Sequence, residues 1–189
     1  MNLIIFDFDG TLFQLPIDWK GLKNVASKIF NLPLSETKSY RLTQKDNPNR
    51  KIFLELQHSY EDEVVSEDRI EMIKQLIPSS MLSELKKLGK MAILTNNFES
   101  TVHKLLKFHN MENMFSLCVG RETMTDKNLG QKPDPDGIIY IKNTIKHDDV
   151  VFIGDFQMDE DAAQAADVKF IRFENNPKDV IKQIKNLLS

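Results

Sequence analysis

Short apolar runs recur along this chain, and helical patterns separate the later ones. The runs are Leu3–Phe6, Met91–Leu94, Phe115–Val119, Val150–Ile153 and Val168–Phe173, each bounded by turn residues. Brief, continuous apolar runs of this kind suit strands buried on both faces, as in a parallel sheet. Ser80–Leu88 spaces Leu82, Leu85 and Leu88 at helical intervals and stops at Gly89. Glu99–Phe108 repeats apolar residues at Val102, Leu105, Leu106 and Phe108, and Asp136–Ile145 carries Ile138, Ile141 and Ile145. Asp159–Ala166 is Ala-rich, and Pro177–Leu188 closes the series. Strand–helix–strand alternation predicts an α/β fold with an open parallel sheet covered by helices.

The interval from Pro16 to Pro78 breaks this rhythm. It shows no clear strand and about four helical stretches, among them one with Trp19, Leu22, Val25 and Ile29 at amphipathic spacing. Ser66–Ile77 reads as its last helix, with Ser66 as N-cap. An insert of roughly 60 residues after a first strand is far longer than ordinary connections. Placed there, it would lie over the carboxyl ends of the strands, where open α/β sheets bind ligands. The expected organisation is a core of residues 1–15 and 79–189 and a helical cap of residues 16–78, with Trp19 in the cap interior.

The first strand runs directly into Asp7-Phe8-Asp9-Gly10-Thr11. Two carboxylates one residue apart, leaving a strand for a Gly turn, point into one loop. Three more signals fall at later strand ends. Thr95-Asn96-Asn97 follows the second strand, Lys132 precedes Pro133 in a loop before a helix, and Asp155 and Asp159 follow the fourth strand. In a parallel sheet these ends share an edge, so four acids, a hydroxyl and a lysine gather around one crevice.

Such a set suits phosphoryl transfer. A carboxylate approaching a phosphate is repelled by about 4 kcal/mol per unit-charge pair at 4 Å and an effective dielectric of 20. Cations must offset this. Mg2+ is hard and oxygen-seeking, and is usually held by one or two carboxylates with water and substrate oxygens. Asp7 and Asp155 can supply those carboxylates, and Lys132 adds a further positive charge. Thr95 and backbone N–H groups near Phe8 and Asn96 can bind phosphoryl oxygens. Positioning and charge compensation are most of what the reaction needs.

With these four motifs in this order, the chain resembles the haloacid dehalogenase superfamily, in its phosphoglycolate-phosphatase-like branch with a helical cap after the first motif. The resemblance covers nearly the whole chain. It implies a three-layer Rossmann-like core and a Mg2+-dependent phosphatase acting through an aspartyl-phosphate. Carried over by position, Asp7 is the nucleophile. Asp9 is the general acid and then base, and its backbone carbonyl is a metal ligand. Thr95 and Lys132 hold the phosphoryl group, Asp155 ligates the metal, and Asp159 ligates through water or orients Lys132. Dehalogenase relatives lack the second acid, so Asp9 favours phosphate chemistry. Two departures are visible: Phe156 stands where a small polar residue often follows the acid, and Asp167 where a Gly often ends the Ala-rich helix.

Within the insert, Arg41, Lys45 and Arg50 lie near a middle turn and could recognise an anionic group on the substrate. A solvated charged face is the competing reading of each. A sugar phosphomutase, a nucleotide- or phosphoprotein-directed phosphatase, and a non-catalytic phosphometabolite-binding or regulatory protein are the alternatives to a phosphatase of a small phosphorylated metabolite.

The totals narrow the remaining classes. The 189 residues carry a net charge of -3, which argues against a general nucleic-acid partner. The single cysteine, Cys118, excludes an intramolecular disulfide and a Cys-rich zinc site, and its apolar neighbours predict a buried structural thiol. The four histidines are expected in structural or surface roles. No apolar stretch approaches a membrane span, and the first run is too short for a signal peptide. The expectation is a cytoplasmic protein, monomeric or homodimeric, with no membrane partner.

Overall fold

The computed structural model describes residues 1–188 and divides them into two compact units. One comprises Met1–Leu15 and Met72 onward, the other Pro16–Glu71.

The first unit is built on a five-stranded parallel sheet. Its strands are β1 (Asn2–Phe6), β4 (Gly89–Leu94), β5 (Leu117–Val119), β6 (Val150–Gly154) and β7 (Lys169–Arg172), in spatial order β5-β4-β1-β6-β7. A short antiparallel pair, β2 (Phe13–Gln14) and β3 (Lys74–Gln75), stands beside it. The helices of this unit are α4 (Ser79–Leu85), α5 (Glu99–Phe108), α6 (Arg121–Asp126), α7 (Asp136–Thr144), α8 (Gln157–Ala165) and α9 (Pro177–Leu188). The second unit holds α1 (Trp19–Phe30), α2 (Ser39–Leu42) and α3 (Arg50–Val64).

The sheet is buried as its sequence demands. Leu3, Ile4, Ile5 and Phe6 are fully buried, and Leu3 and Ile5 share one core with Ala92, Leu94, Phe152, Ile138 and Ala162. β1 lies at the centre because both neighbours pair with it in register. Phe6 opposes Ile93 of β4 on one side and Ile153 of β6 on the other. The chain winds outward first through β4 to β5 and then through β6 to β7. The strand order therefore reverses at β1, and the crevice beyond its carboxyl end is the ligand position of doubly wound sheets. Asp7, Thr95 and Asp155 each lie just past one of these three strand ends.

The helical unit has its own small core. Leu22, Ala26, Leu42 and Phe53 are buried there, with Phe30, Leu56, Tyr60 and Trp19 packed against them, so Trp19, expected in the interior, is partly buried at the edge of this core. Asp18 caps α1 by accepting from Gly21 N at 2.8 Å, and Asn31 ends it in the left-handed region at φ 51°. Inside α3, Gln57 and Glu61 are both buried, and Gln57 Nε2 donates to Glu61 Oε1 at 2.7 Å.

The expected helix over Ser66–Ile77 is not formed. A single 3-10 turn spans Ile70–Met72, and Lys74–Gln75 then pairs with Phe13–Gln14. Leu76 N continues this pairing by donating to Leu12 O at 2.9 Å. Ile70, Ile73 and Ile77 are still buried, so the apolar spacing is satisfied by a turn and an extended segment. Among the described residues no helix is long and apolar enough to cross a membrane.

Candidate active site

The loop after β1 is a tight turn. Phe8 O accepts from both Leu12 N (2.9 Å) and Phe13 N (3.0 Å), and Gly10 N donates to Phe13 O at 2.7 Å. The Phe8 side chain is fully buried against Phe13, ring centroids 5.2 Å apart, so only its backbone is placed to meet a ligand. Gly10 has φ 84°, and a Cβ there would run into the Asp155 carboxylate. Glycine is needed on both counts, for the left-handed backbone and for the close approach of the Asp155 loop.

Asp7 and Lys132 are the centre of the site. Lys132, 3% exposed, places Nζ 2.5 Å from Asp7 Oδ1 and 2.5 Å from Asp159 Oδ1. The ammonium also lies 5.5 Å from the centroid of the Phe152 ring. Asp159 is 1% exposed, and its second oxygen accepts from Phe156 N at 3.0 Å, which fixes the start of α8. Its position follows from sequence: Asp155 ends the strand loop, and four residues later Asp159 has turned back on the first turn of α8. Gly154 makes room for it, since a Cβ there would come within 2.6 Å of Asp159 Cβ. The contact with Lys132 matches the orienting role expected for Asp159 as one of two, and the same carboxylate also borders the other acids of the site.

Asp7, Asp155 and Asp159 each offer a carboxylate oxygen, and these oxygens lie within 4.8 Å of one another. Three carboxylates around one ammonium leave an excess of negative charge in a buried place. Burial, and then the nearby Asp159, hold the Asp7 carboxyl well above the usual carboxylate range despite Lys132. Burial and Asp159 likewise raise Asp155. Burial opposes the Lys132 charge, but Asp159 and Asp7 outweigh it and push its pKa up, so the lysine stays protonated. An all-oxygen, electron-rich donor set of this kind fits a hard divalent cation.

The other expected residues are placed as follows. Thr95 is fully buried past β4, where its hydroxyl donates to Asn97 Oδ1 at 2.9 Å and accepts from Asn97 N at 3.1 Å. The Asn96 carboxamide is engaged with the Lys132 backbone. Asp9 is not part of the carboxylate cluster. Its Oδ1 accepts from Leu15 N at 2.9 Å. Arg41, Lys45 and Arg50 belong to the helical unit, where Arg50 Nε donates to Thr43 O at 3.2 Å and Asn47 Nδ2 to Arg41 O at 3.1 Å.

Several supporting residues carry no local sequence signal. Arg172, at the end of β7, donates to Asp155 O at 2.8 Å and to Glu160 Oε2 at 2.5 Å. Glu99 and Glu122 cap each other's helices. Glu122 accepts from Glu99 N (2.6 Å) and Ser100 N (3.1 Å), while Glu99 accepts from Gly120 N (2.7 Å) and Thr123 N (3.0 Å). This exchange fixes the loops that leave β4 and β5. Cys118 is partly buried beside it, and burial together with Glu99 and Glu122 pushes its thiol up, which keeps it protonated and unreactive.

The chain belongs to the haloacid dehalogenase-like hydrolase family, whose model matches residues 4–173. A phosphoglycolate phosphatase of Pseudomonas savastanoi pv. phaseolicola is 25% identical over 217 aligned residues, covering 99% of this chain and 78% of that protein. One from Pseudomonas syringae pv. syringae is 26% identical with the same coverage. Among solved structures, a HAD-superfamily hydrolase of subfamily IA from Geobacter sulfurreducens superposes with a TM-score of 0.63 at 16% identity. That match covers 95% of this chain and 98% of the other, and it shows a shared fold.

Proposed function

We propose that this protein is a Mg2+-dependent phosphatase that hydrolyses a small phosphorylated metabolite through an aspartyl-phosphate. The observation that carries the reading is the buried Asp7 carboxylate, gripped by Lys132 and set beside two further carboxylates that fit a divalent cation. An oxygen of Asp7 forms a bond to phosphorus as the bond from phosphorus to the ester oxygen breaks. Asp9 gives its proton to that departing oxygen. The ionised Asp9 then takes a proton from water, whose oxygen attacks phosphorus and frees Asp7 and inorganic phosphate. The Lys132 ammonium, the Thr95 hydroxyl and the backbone N–H groups of Phe8 and Asn96 hold the phosphoryl oxygens. Asp7, Asp155, Asp159 and the Asp9 carbonyl would hold Mg2+, which when bound supplies positive charge against the phosphate dianion. Asp9 keeps its carboxylate out of the cluster and tied to Leu15 N, which suits a proton carrier better than a side-chain ligand.

The unit Pro16–Glu71 is the cap in this reading, and it chooses the leaving group. The phosphoglycolate phosphatases to which the chain is similar are named for a substrate that joins a phosphate to a carboxylate. Arg41, Lys45 and Arg50 offer the cap the cationic, hydrogen-bonding groups that a second anion requires. A phosphorylated short-chain acid is therefore the first substrate class to try.

Hydrolysis of an aryl phosphate, with and without Mg2+, tests the chemistry. The wild type should release phosphate only with the metal, and Asp7→Asn should lose on the order of 10^4-fold in kcat. Equal rates in the two proteins would remove Asp7 as nucleophile. Arg50→Ala should raise KM for a phosphorylated acid and leave KM for the aryl phosphate alone. Isomerisation of a hexose phosphate without phosphate release would make the protein a mutase instead.

A further inference from the structure

We infer that Asn96 is a positioning residue whose side chain sets Lys132, and through Lys132 the Asp7 carboxylate. The inference rests on the phosphatase reading only for its kinetic consequence. Asn96 Oδ1 accepts from Lys132 N at 3.1 Å, and Asn96 Nδ2 donates to Lys132 O at 3.1 Å. Both backbone polar groups of one residue are thus matched by one carboxamide. A primary carboxamide can do this because its oxygen and one of its N–H bonds point to the same side. The arrangement needs a donor and an acceptor on one short planar group, which among side chains only Asn and the longer Gln provide.

The place of this contact matters. The next residue is Pro133, which has no N–H to give and so adds no backbone anchor of its own on that side. Lys132 carries its ammonium on a flexible four-carbon stem. Its tip is fixed by Asp7 and Asp159, each at 2.5 Å. Its root is fixed by Asn96, 36 residues earlier in the chain. Asn96 Nδ2 also lies 3.5 Å from Met158 Sδ, next to Asp159. A single side chain therefore ties the loop after β4 to the Lys132 loop and to the first turn of α8. These three segments carry Thr95, Lys132 and Asp159.

A double-mutant cycle tests the dependence on Lys132. Aryl phosphate hydrolysis with Mg2+ is measured for wild type, Asn96→Ala, Lys132→Met and the pair. Asn96→Ala should lower kcat by about 10–100-fold, as loss of an orienting partner does. In the Lys132→Met background it should cost less than about threefold, since the group it positions is gone. Losses that multiply would overturn the proposal. Asn96→Asp keeps the acceptor for Lys132 N and loses the donor for Lys132 O, so its rate should fall between wild type and Asn96→Ala. A second readout is independent of turnover. In acetic anhydride labelling followed by mass spectrometry, Lys132 should be protected in the wild type and labelled about tenfold faster in Asn96→Ala or Asn96→Asp, a ratio equivalent to about 1.4 kcal/mol. Unchanged protection in either variant would refute the positioning role. If the wild type hydrolyses nothing, the phosphatase reading fails, and the labelling result alone decides the role of Asn96.

Discussion

Asp7→Asn should make the metal-free protein more stable while abolishing its proposed chemistry. The expectation comes from the balance of charges at the site. Asp7 Oδ1 lies 2.5 Å from the Lys132 ammonium, and carboxylate oxygens of Asp155 and Asp159 lie within 4.8 Å. At an effective dielectric of 20 the attraction is about 7 kcal/mol, and each repulsion about 3.5 kcal/mol at that outer distance. The attraction and the two repulsions nearly cancel. What remains is the cost of holding a carboxylate away from water, several kcal/mol for a buried ion. The Asp7 charge is therefore unfavourable in the folded protein, in agreement with its raised pKa, whose largest cause is burial. Asparagine keeps the shape and one oxygen for Lys132, and it removes the charge.

The variant should gain about 1–2 kcal/mol in EDTA, after allowing for imperfect replacement of the ion pair. For a chain of this size that is a rise in Tm of about 2–8 °C. Adding Mg2+ should reverse the order. A metal at 100 times its Kd stabilises the wild type by about 2.7 kcal/mol, and the variant, lacking one ligand, should gain much less. Thermal and urea unfolding in EDTA and in Mg2+ measure both effects. A variant less stable than wild type by more than about 1 kcal/mol in EDTA would refute the charge balance. An equal gain from Mg2+ in both proteins would remove Asp7 from the ligand set.

Two further outcomes concern other parts of the fold. Asp167 ends α8 in the left-handed region at φ 52°, inside a Schellman motif in which Val168 N reaches Ala163 O (2.9 Å) and Asp167 N reaches Gln164 O (3.2 Å). Asp167→Gly relieves that backbone and should stabilise by about 0.5–1 kcal/mol in urea unfolding, where an unchanged midpoint would count against it. His109 packs at a tilt against Phe13 and edge-on against Phe108, with ring centroids 5.0 and 5.1 Å away, and burial lowers its pKa. The unfolded chain therefore binds a proton more readily than the folded one. The stability contribution of neutral His109 is complete above about pH 6.5 and is lost as pH falls through the lowered folded value. Urea midpoints between pH 5 and 8 should fall less steeply toward acid in His109→Phe than in wild type, and identical slopes would refute this.

How much of this is legible in the sequence depends on the range of the interaction that decides each feature. Strands buried on both faces need continuous apolar runs, so Leu3–Phe6 and Val150–Ile153 stand out, and the acids that end them stand out with them. β3 does not. Lys74 and Gln75 are polar, and they are extended only because Phe13 and Gln14, about sixty residues earlier, offer them a partner. The local spacing of Ile70, Ile73 and Ile77 looks helical because a buried turn and a short strand can bury the same three residues.

The candidate site divides the same way. Residue type and strand-end position single out Asp7, Lys132, Asp155 and Asp159, since parallel topology brings strand ends together whatever lies between them. The partners that hold these groups are set by pairings no spacing encodes. Asn96 is expected to matter through its backbone, yet its side chain spans to the Lys132 peptide. Arg172 would pass as a strand-end surface cation, yet it holds the carbonyl of Asp155. A catalytic group must be of one chemical type, and that shows in a sequence. Its support can be any donor or acceptor that the fold brings within reach, so the same four charged residues could stand on different supports in another chain. Differences in activity among chains that share the four motifs should therefore be sought first at positions such as Asn96 and Arg172, where one side chain fixes a loop that carries a proposed site residue.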